Sequence, residues 1–339
     1  MPTLTVATHY AVFDLPTDIR GDIEVIRQSR RGLDTHYSQA NPRLVGAQST
    51  FSQTRQRLLD SAKAFFKDFT PPKRSVPANL ATATSEAVFF ERLYQQKLGL
   101  VIGEAHIAQS SKRLLIDTMK QLKKQGVKTL YIEHLLTDLH QEALDTYRRS
   151  LKMPSILEHY LTTLDGGHMP RYSGSNTFTN VLKAANKYGI RIRALDCTAS
   201  YHVKGLNGLE ARNEMFSYFA NEVIKADQLA EGPHKWVAFV GSSHTDIYLG
   251  VPGLAQLQDA VSLHVRDTAP ELARPLHSGG WQVVEEGPGV ALHSDFKIET
   301  GISGIPMHQP VPLPQRSSLT EPGQFIIERP TASEINWDR

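Results

Sequence analysis

Four short apolar runs punctuate the middle of the chain: Leu98 to Ile102, Lys128 to Glu133, Ile190 to Leu195 and Lys235 to Val240. Long stretches of helical period separate them. Strands spaced in this way cannot pair through tight hairpins, so each must reach the next by a crossover, and crossovers build a largely parallel sheet with helices on its faces. A fifth run, Val261 to Arg266, extends the pattern. Between the first two, residues 107–125 carry Leu115, Met119 and Leu122 on one helical face and close on Gly126. Further helical segments are expected near 138–150, 154–164, 176–188 and 210–230. The predicted fold class is α/β: a mostly parallel sheet with flanking helices, preceded by a small helical domain.

That N-terminal domain is assigned to residues 1–80. Ile19, Ile23, Ile26, Leu33 and Tyr37 form one helical stripe; Phe51, Leu58, Ala62, Phe65 and Phe69 form a second, which stops at Pro71-Pro72. Lys63, Lys67, Lys73 and Arg74 beside Phe65, Phe66 and Phe69 also permit membrane-surface contact through residues 1–80. A third helix is expected from Ser85 to Gln96. The α/β domain spans 81–295, with a short strand pair at 281–285 and 289–293. From 296 to 339 the chain is expected to be a Pro-rich extended tail, since Pro306, Pro310, Pro312, Pro314, Pro322 and Pro330 forbid regular structure over most positions.

Composition narrows the functions open to it. Lys plus Arg number 37 against 35 acids, a net charge of +2. No strongly basic face is implied, and no nucleic-acid partner is expected. The single cysteine, Cys197, excludes an internal disulfide framework and a Cys-rich zinc site. No run reaches the ~18 apolar residues of a spanning helix, and the first 25 residues lack a secretion signal.

The strand ends carry the chemistry. They read Gly103-Glu104-Ala105-His106, Glu133-His134, Asp196-Cys197 and Gly241-Ser242-Ser243-His244. Ligands of open parallel sheets bind beyond the carboxyl ends of the strands, so these residues are expected to share one edge. Each Gly is read as serving a sharp turn. Strand alternation sends Glu133 and His134 to opposite sides, and Glu133 is preferred. His106 or His244 is the candidate general base on water, with Glu104 and Glu133 orienting the imidazole and Asp196 as a further acid. Should a divalent metal be present, His106, Glu133 and His244 are its expected ligands. A glycine-rich loop supplies a candidate lid in His168, Arg171 and Tyr172. Tyr201 and His202, in the loop after the third strand, are candidates to complete the site, with plain loop residues as the alternative. Cys197 is read as a buried thiol, with a thiol enzyme kept as a rival. HExxH, Walker, GxGxxG and GxSxG motifs are absent.

The two Gly-x-x-His motifs with Glu133, in the longer stretches 103–138, 190–205 and 234–244, resemble the Tiki/erythromycin-esterase/ChaN-like superfamily. The likeness covers about residues 85–267 and is greatest to the branch in bacterial toxins, including the C2 region of Pasteurella multocida toxin. The resemblance implies an α/β fold and a toxin or effector that acts on a host molecule; with no secretion signal visible, either a cytosolic site or export from the bacterial cytoplasm by a signal-free route is expected. Its branches differ in chemistry: metal-dependent proteolysis in Tiki-type members, a metal-free histidine base in erythromycin esterases, and haem binding in ChaN-like members. A hydrolase that activates water with or without a divalent metal is the leading expectation. A non-catalytic membrane-targeting, haem- or metal-binding module is the alternative.

Overall fold

The computed structural model describes residues 9–16, 18, 42–72, 74–168, 174–201, 208–279, 281–283 and 290–303. Its centre is a seven-stranded sheet. In chain order the strands are β1 (Gly99–Glu104), β2 (Val127–Leu136), β3 (Arg191–Asp196), β4 (Lys235–Gly241), β5 (Val261–Thr268), β6 (Arg274–Ser278) and β7 (Phe296–Gly301). Their spatial order is β3-β2-β4-β1-β5-β7-β6, parallel throughout except that β6 runs antiparallel to β7. The mostly parallel α/β architecture is therefore as expected.

Alternation along the strands builds two apolar layers. Leu100, Ile102, Leu130, Ile132, Val237 and Phe239 face one side. They bury against α2 (Glu86–Gln96), α3 (Ser110–Lys124), α4 (Thr137–Ser150), α5 (Ser155–His168) and α6 (Phe178–Lys187). Val101, Tyr131, Trp236, Ala238 and Val240 face the other, under α1 (Pro42–Lys67) and α7 (Gly208–Glu231). Two-sided burial explains why these strands read as continuous apolar runs. Ser85 caps α2 by accepting from the Val88 amide, and Thr177 does the same for α6 with Asn180.

The N-terminal segment is bound tightly to the sheet domain. Leu58, Leu59 and Ala62 of α1 bury in the same layer as α7. Arg55 donates to the carbonyls of Ala199 at 2.8 Å and Tyr201 at 3.3 Å. Arg74 pairs with Asp246 at 2.7 Å and with Asp295, and donates to the Ala260 carbonyl at 2.7 Å. The expected stripe at residues 19–37 lies outside the described residues. Residues 296–301, assigned from sequence to the tail, form β7 inside the main sheet. Phe296 and Ile298 bury there, and Glu299 pairs with Arg266 at 2.6 Å. Residues 304–339, with all six tail prolines, lie outside the described residues. Trp281–Val283 and Val290–Leu292 form the expected strand pair. Among the described residues no helix is long and apolar enough to cross a membrane.

Candidate active site

β1 ends on Glu104, whose side chain is buried. Its Oε2 accepts from Lys112 Nζ at 2.6 Å and Ser111 Oγ at 3.1 Å, both in the first turn of α3. Lys112 is itself fully buried, donates to the carbonyls of His106 and Ala108 at 2.9 Å, and lies 4.3 Å from the Phe178 ring centre. Burial pushes the Glu104 carboxyl up, but the Lys112 ammonium and the neighbouring imidazoles outweigh it and hold the group well below the carboxylate range. The other oxygen, Oε1, is 3.2 Å from His106 Nδ1 and 3.7 Å from His134 Nε2.

His106 follows β1 and keeps 39% of its side chain exposed. Crowding by protein pulls its pKa down, yet the hydrogen bond to Glu104 and the charges of Glu104 and Glu133 raise it above the ordinary histidine value. His134 lies beneath, with Nε2 3.0 Å from His106 Nδ1 and Nδ1 2.8 Å from the Tyr201 hydroxyl. Burial and the His106 charge depress its pKa.

The expectation that only one of Glu133 and His134 enters the site needs correction. The pairing of β2 with β3 slips between Ile132 and Leu136. A bulged strand end does not keep strict alternation, and a site beyond the sheet edge draws on both faces. Glu133 Oε2 accepts from the Gly241 amide at 2.6 Å; its Oε1 meets Arg212 Nη2 at 3.0 Å and His244 Nε2 at 3.3 Å. Burial opposes its ionisation, but the charges of His244 and Arg212 hold it well below the usual range. His244 is buried against Phe216, with ring centres 4.2 Å apart, and burial depresses its pKa against the pull of Glu133.

Asp196 completes this side, accepting from Arg212 at 2.7 Å, from the Cys197 amide at 2.7 Å and from Ser200. Burial outweighs the Arg212 charge and pushes its pKa up to about 6. Cys197 is buried in the apolar layer under α7, and burial drives its thiol well up. His168 is the last residue of α5; Arg171, Tyr172 and His202 lie outside the described residues.

The two motif glycines serve close packing rather than turns. Neither has positive φ. A Cβ on Gly103 would lie 2.2 Å from Thr245 Oγ1, and one on Gly241 would lie 2.9 Å from His106 Cε1 and 3.4 Å from Glu133 Oε2. The backbone of β4 is thus the floor on which His106 rests. Gly241→Ala is expected to push that ring aside. Any turnover that depends on His106 should then fall at least ~10-fold, because misplacement of a reacting group is costly, while the urea unfolding midpoint stays near wild type.

The edge therefore holds two carboxylate–imidazole groups, Glu104 with His106 and His134, and Glu133 with His244, stiffened by Lys112 and Arg212. Of the metal-ligand set read from sequence, Glu133 and His244 meet at 3.3 Å, but His106 turns its Nδ1 to Glu104 and His134 instead. Glu104, His106 and His134 offer donor atoms that all lie within 4.8 Å of one another. Their spacings of 3.0, 3.2 and 3.7 Å bracket the ~3.4 Å edge of a tetrahedral zinc site with ~2.1 Å bonds.

Sequence reading passes over Lys112 and Arg212, and both carry a signal. Lys112 stands on the apolar stripe of Leu115, Met119 and Leu122, and Arg212 one turn before Phe216 on the stripe of Phe219 and Val223. A cation on a buried face needs a buried anion.

No protein-family model matches the chain. Over 197 residues, 56% of its length, it is 34% identical to a multifunctional-autoprocessing repeats-in-toxin protein of Vibrio vulnificus, and spans 4% of that protein. Among solved structures it is similar to RRSP, a MARTX toxin effector domain from Vibrio vulnificus. That likeness has 26% identity and a TM-score of 0.51, and covers 65% of this chain and 45% of that one. The C-terminal region of Pasteurella multocida toxin, for which a thiol-protease like catalytic triad is described, shares the fold at 16% identity. There the TM-score is 0.52, with 79% of this chain and 34% of that one covered. The chain spans less than half the length of each of these relatives.

Proposed function

We propose that this chain, similar to effector domains of bacterial toxins, is a hydrolase that acts on a host molecule after export, with His106 as the base that activates water. One observation carries this: among the described residues, of the three imidazoles at the edge, His106 alone is substantially exposed, while a buried carboxylate holds its Nδ1. Glu104 favours the tautomer that carries its proton on Nδ1, which leaves Nε2 to take a proton from water. The hydroxide attacks the electrophilic centre, and the same nitrogen returns the proton to the leaving group as the bond breaks. Among the described residues Arg212 Nη1 has no hydrogen-bond partner; buried as it is, it would act through its field, rather than by contact, on the negative charge that develops on the attacked group. The likeness to the Tiki/erythromycin-esterase/ChaN-like superfamily rests on these same residues and belongs to the proposal.

A thiol-protease like triad, the feature described for the Pasteurella multocida region, would have to use Cys197 here. Its burial and raised pKa deny it the thiolate that such chemistry needs. Cys197→Ser and His106→Ala separate the two: the proposal expects the first to keep turnover and the second to lose it. A target for the assay comes from proteomes of host cells expressing wild type or His106→Ala.

The Glu104, His106 and His134 spacings support a second reading, in which these side chains hold a divalent ion. The ion would supply Lewis acidity at the exposed edge. The nearby Lys112 ammonium, 2.6 Å from Glu104, works against it. Isothermal titration with zinc or manganese decides: a micromolar site weakened at least ~10-fold in His134→Gln supports this reading, and heat-silent titrations with full turnover in chelator remove it.

A further inference from the structure

The sheet has a second edge, opposite the active one, where β2 and β3 begin. A cavity of about 260 Å³ opens there. Lys123 near the end of α3, Lys128 at the head of β2, Arg148 in the last turn of α4 and Arg191 at the head of β3 line it. Among the described residues the one acid in its lining is Glu231, at the end of α7. The elements α3, β2, β3 and α7 reach the active edge with Lys112, Glu133, Asp196 and Arg212. A six-residue strand spans about 20 Å, so the cavity is remote from His106.

Part of the positive charge already has a use. Lys123 Nζ donates to the Gly189 carbonyl at 2.9 Å. Arg191 pairs with the buried Asp227 and comes within 3.4 Å of Glu231, which is 58% exposed. Cations in the last turn of a helix also offset its dipole, which accounts in part for Lys123 and Arg148. Lys128 has neither use. It begins a strand, and like Arg148 it is exposed and forms no ion pair among the described residues. Even with Asp227 counted beside Glu231, the cations exceed the acids by two. A concave site with that excess calls for a compact dianion. A phosphate monoester carries about −1.5 to −2 at pH 7, whereas a carboxylate carries a single charge and leaves an excess. The planar fork of Arg148 suits paired phosphate oxygens. The volume lies below the ~300–1,000 Å³ of pockets for drug-sized ligands, which fits one compact group.

We infer that this cavity binds the phosphate group of a phosphorylated ligand, held by Lys128 and Arg148 in the field of Lys123 and Arg191. The site is separate from the proposed hydrolysis and does not rest on it. The probes are phenyl phosphate and benzoate, which share a ring and differ in charge, titrated calorimetrically into the full chain at low ionic strength. Phenyl phosphate is expected to bind with a Kd of about 1 mM or tighter, and at least about tenfold more tightly than benzoate. Lys128→Gln with Arg148→Gln should weaken it at least about tenfold, the usual worth of a charge-assisted hydrogen bond. Lys124→Gln with Arg149→Gln removes two exposed charges adjacent in sequence to Lys123 and Arg148 but outside the lining. That pair should leave the affinity within about twofold, because solvent and salt screen charges that do not touch the ligand. Absent binding, no preference over benzoate, or an affinity that survives the first pair overturns the inference. An equal loss in both pairs overturns it too, since diffuse surface charge would then suffice. Flotation with phosphatidylcholine vesicles containing phosphatidylinositol 4-phosphate tells the source of the phosphate. Vesicle binding that is lost in Lys128→Gln with Arg148→Gln assigns it to a lipid headgroup, and any other vesicle result beside a positive titration assigns it to a soluble ligand.

Discussion

His106→Ala is expected to lower turnover by ~10²–10⁴-fold, the usual contribution of a positioned general base, while the protein stays folded. The ring is 39% exposed, so truncation leaves little cavity. Glu104 keeps Lys112 and Ser111 as partners, so no buried charge is stranded. His244→Ala makes the informative comparison. That ring is buried between Phe216 and Glu133. Its removal opens a cavity and takes one partner from a buried carboxylate, which costs ~2–4 kcal/mol of stability in addition to any loss of turnover. A His106→Ala protein that turned over its target at the wild-type rate would end the proposed mechanism.

The pH dependence gives the same assignment an independent readout. A base must be neutral, so turnover should rise with pH through the His106 pKa, which the two carboxylates hold above the ordinary ~6.5. In Glu104→Gln the strongest of those carboxylate effects is gone and the downward pull of the surrounding protein prevails. The acidic limb should move to lower pH. Were His244 the base, its depressed pKa would place the limb below ~6.5 in the wild type, and Glu104→Gln would leave it in place.

How much of this could be read from sequence follows from which residues advertise their role. Parallel strands buried on both faces are apolar along their whole length, so β1 to β5 stand out in the sequence, and the topological rule for open sheets is enough to assign Glu104, His106, Glu133, Asp196 and His244 to one edge. β7 did not stand out. FKIETG alternates, as a strand near a sheet edge does, and it lies just before a proline-rich stretch that dominates the local composition. Strict alternation hides His134, because β2 loses register before that residue is reached. Arg212 and Lys112 were hidden in helices whose periodicity drew attention to the apolar positions. The misreading of Gly103 and Gly241 has the same origin: sequence shows that a side chain is missing, not which neighbour would occupy its space.

Lys112→Met carries the largest expected effect on stability. The substitution keeps the volume of a fully buried side chain and deletes the cation paired with Glu104, whose side chain is 1% exposed. Removing one partner of a buried ion pair typically costs ~3–5 kcal/mol, because an uncompensated charge stays behind. Lys112→Met with Glu104→Gln should recover most of that loss, since it strands no charge, and the difference between the two is the coupling a double-mutant cycle reads. Proton linkage adds a signature that packing alone would not produce. In the wild type the Glu104 carboxyl is depressed, so its stabilisation is complete above the unfolded value of ~4.3 and is lost as pH falls toward the folded one. Without Lys112 burial dominates and raises the carboxyl. The variant should then lose stability as pH rises through the carboxylate range and regain it on acidification. Urea unfolding of both proteins at pH 7 and pH 5 should therefore show a gap that narrows at the lower pH. A gap below ~1 kcal/mol, or one of the same size at both pH values, would mean that Lys112 does not hold Glu104 ionised, and with that the anchoring of His106 by a buried carboxylate would lose its basis.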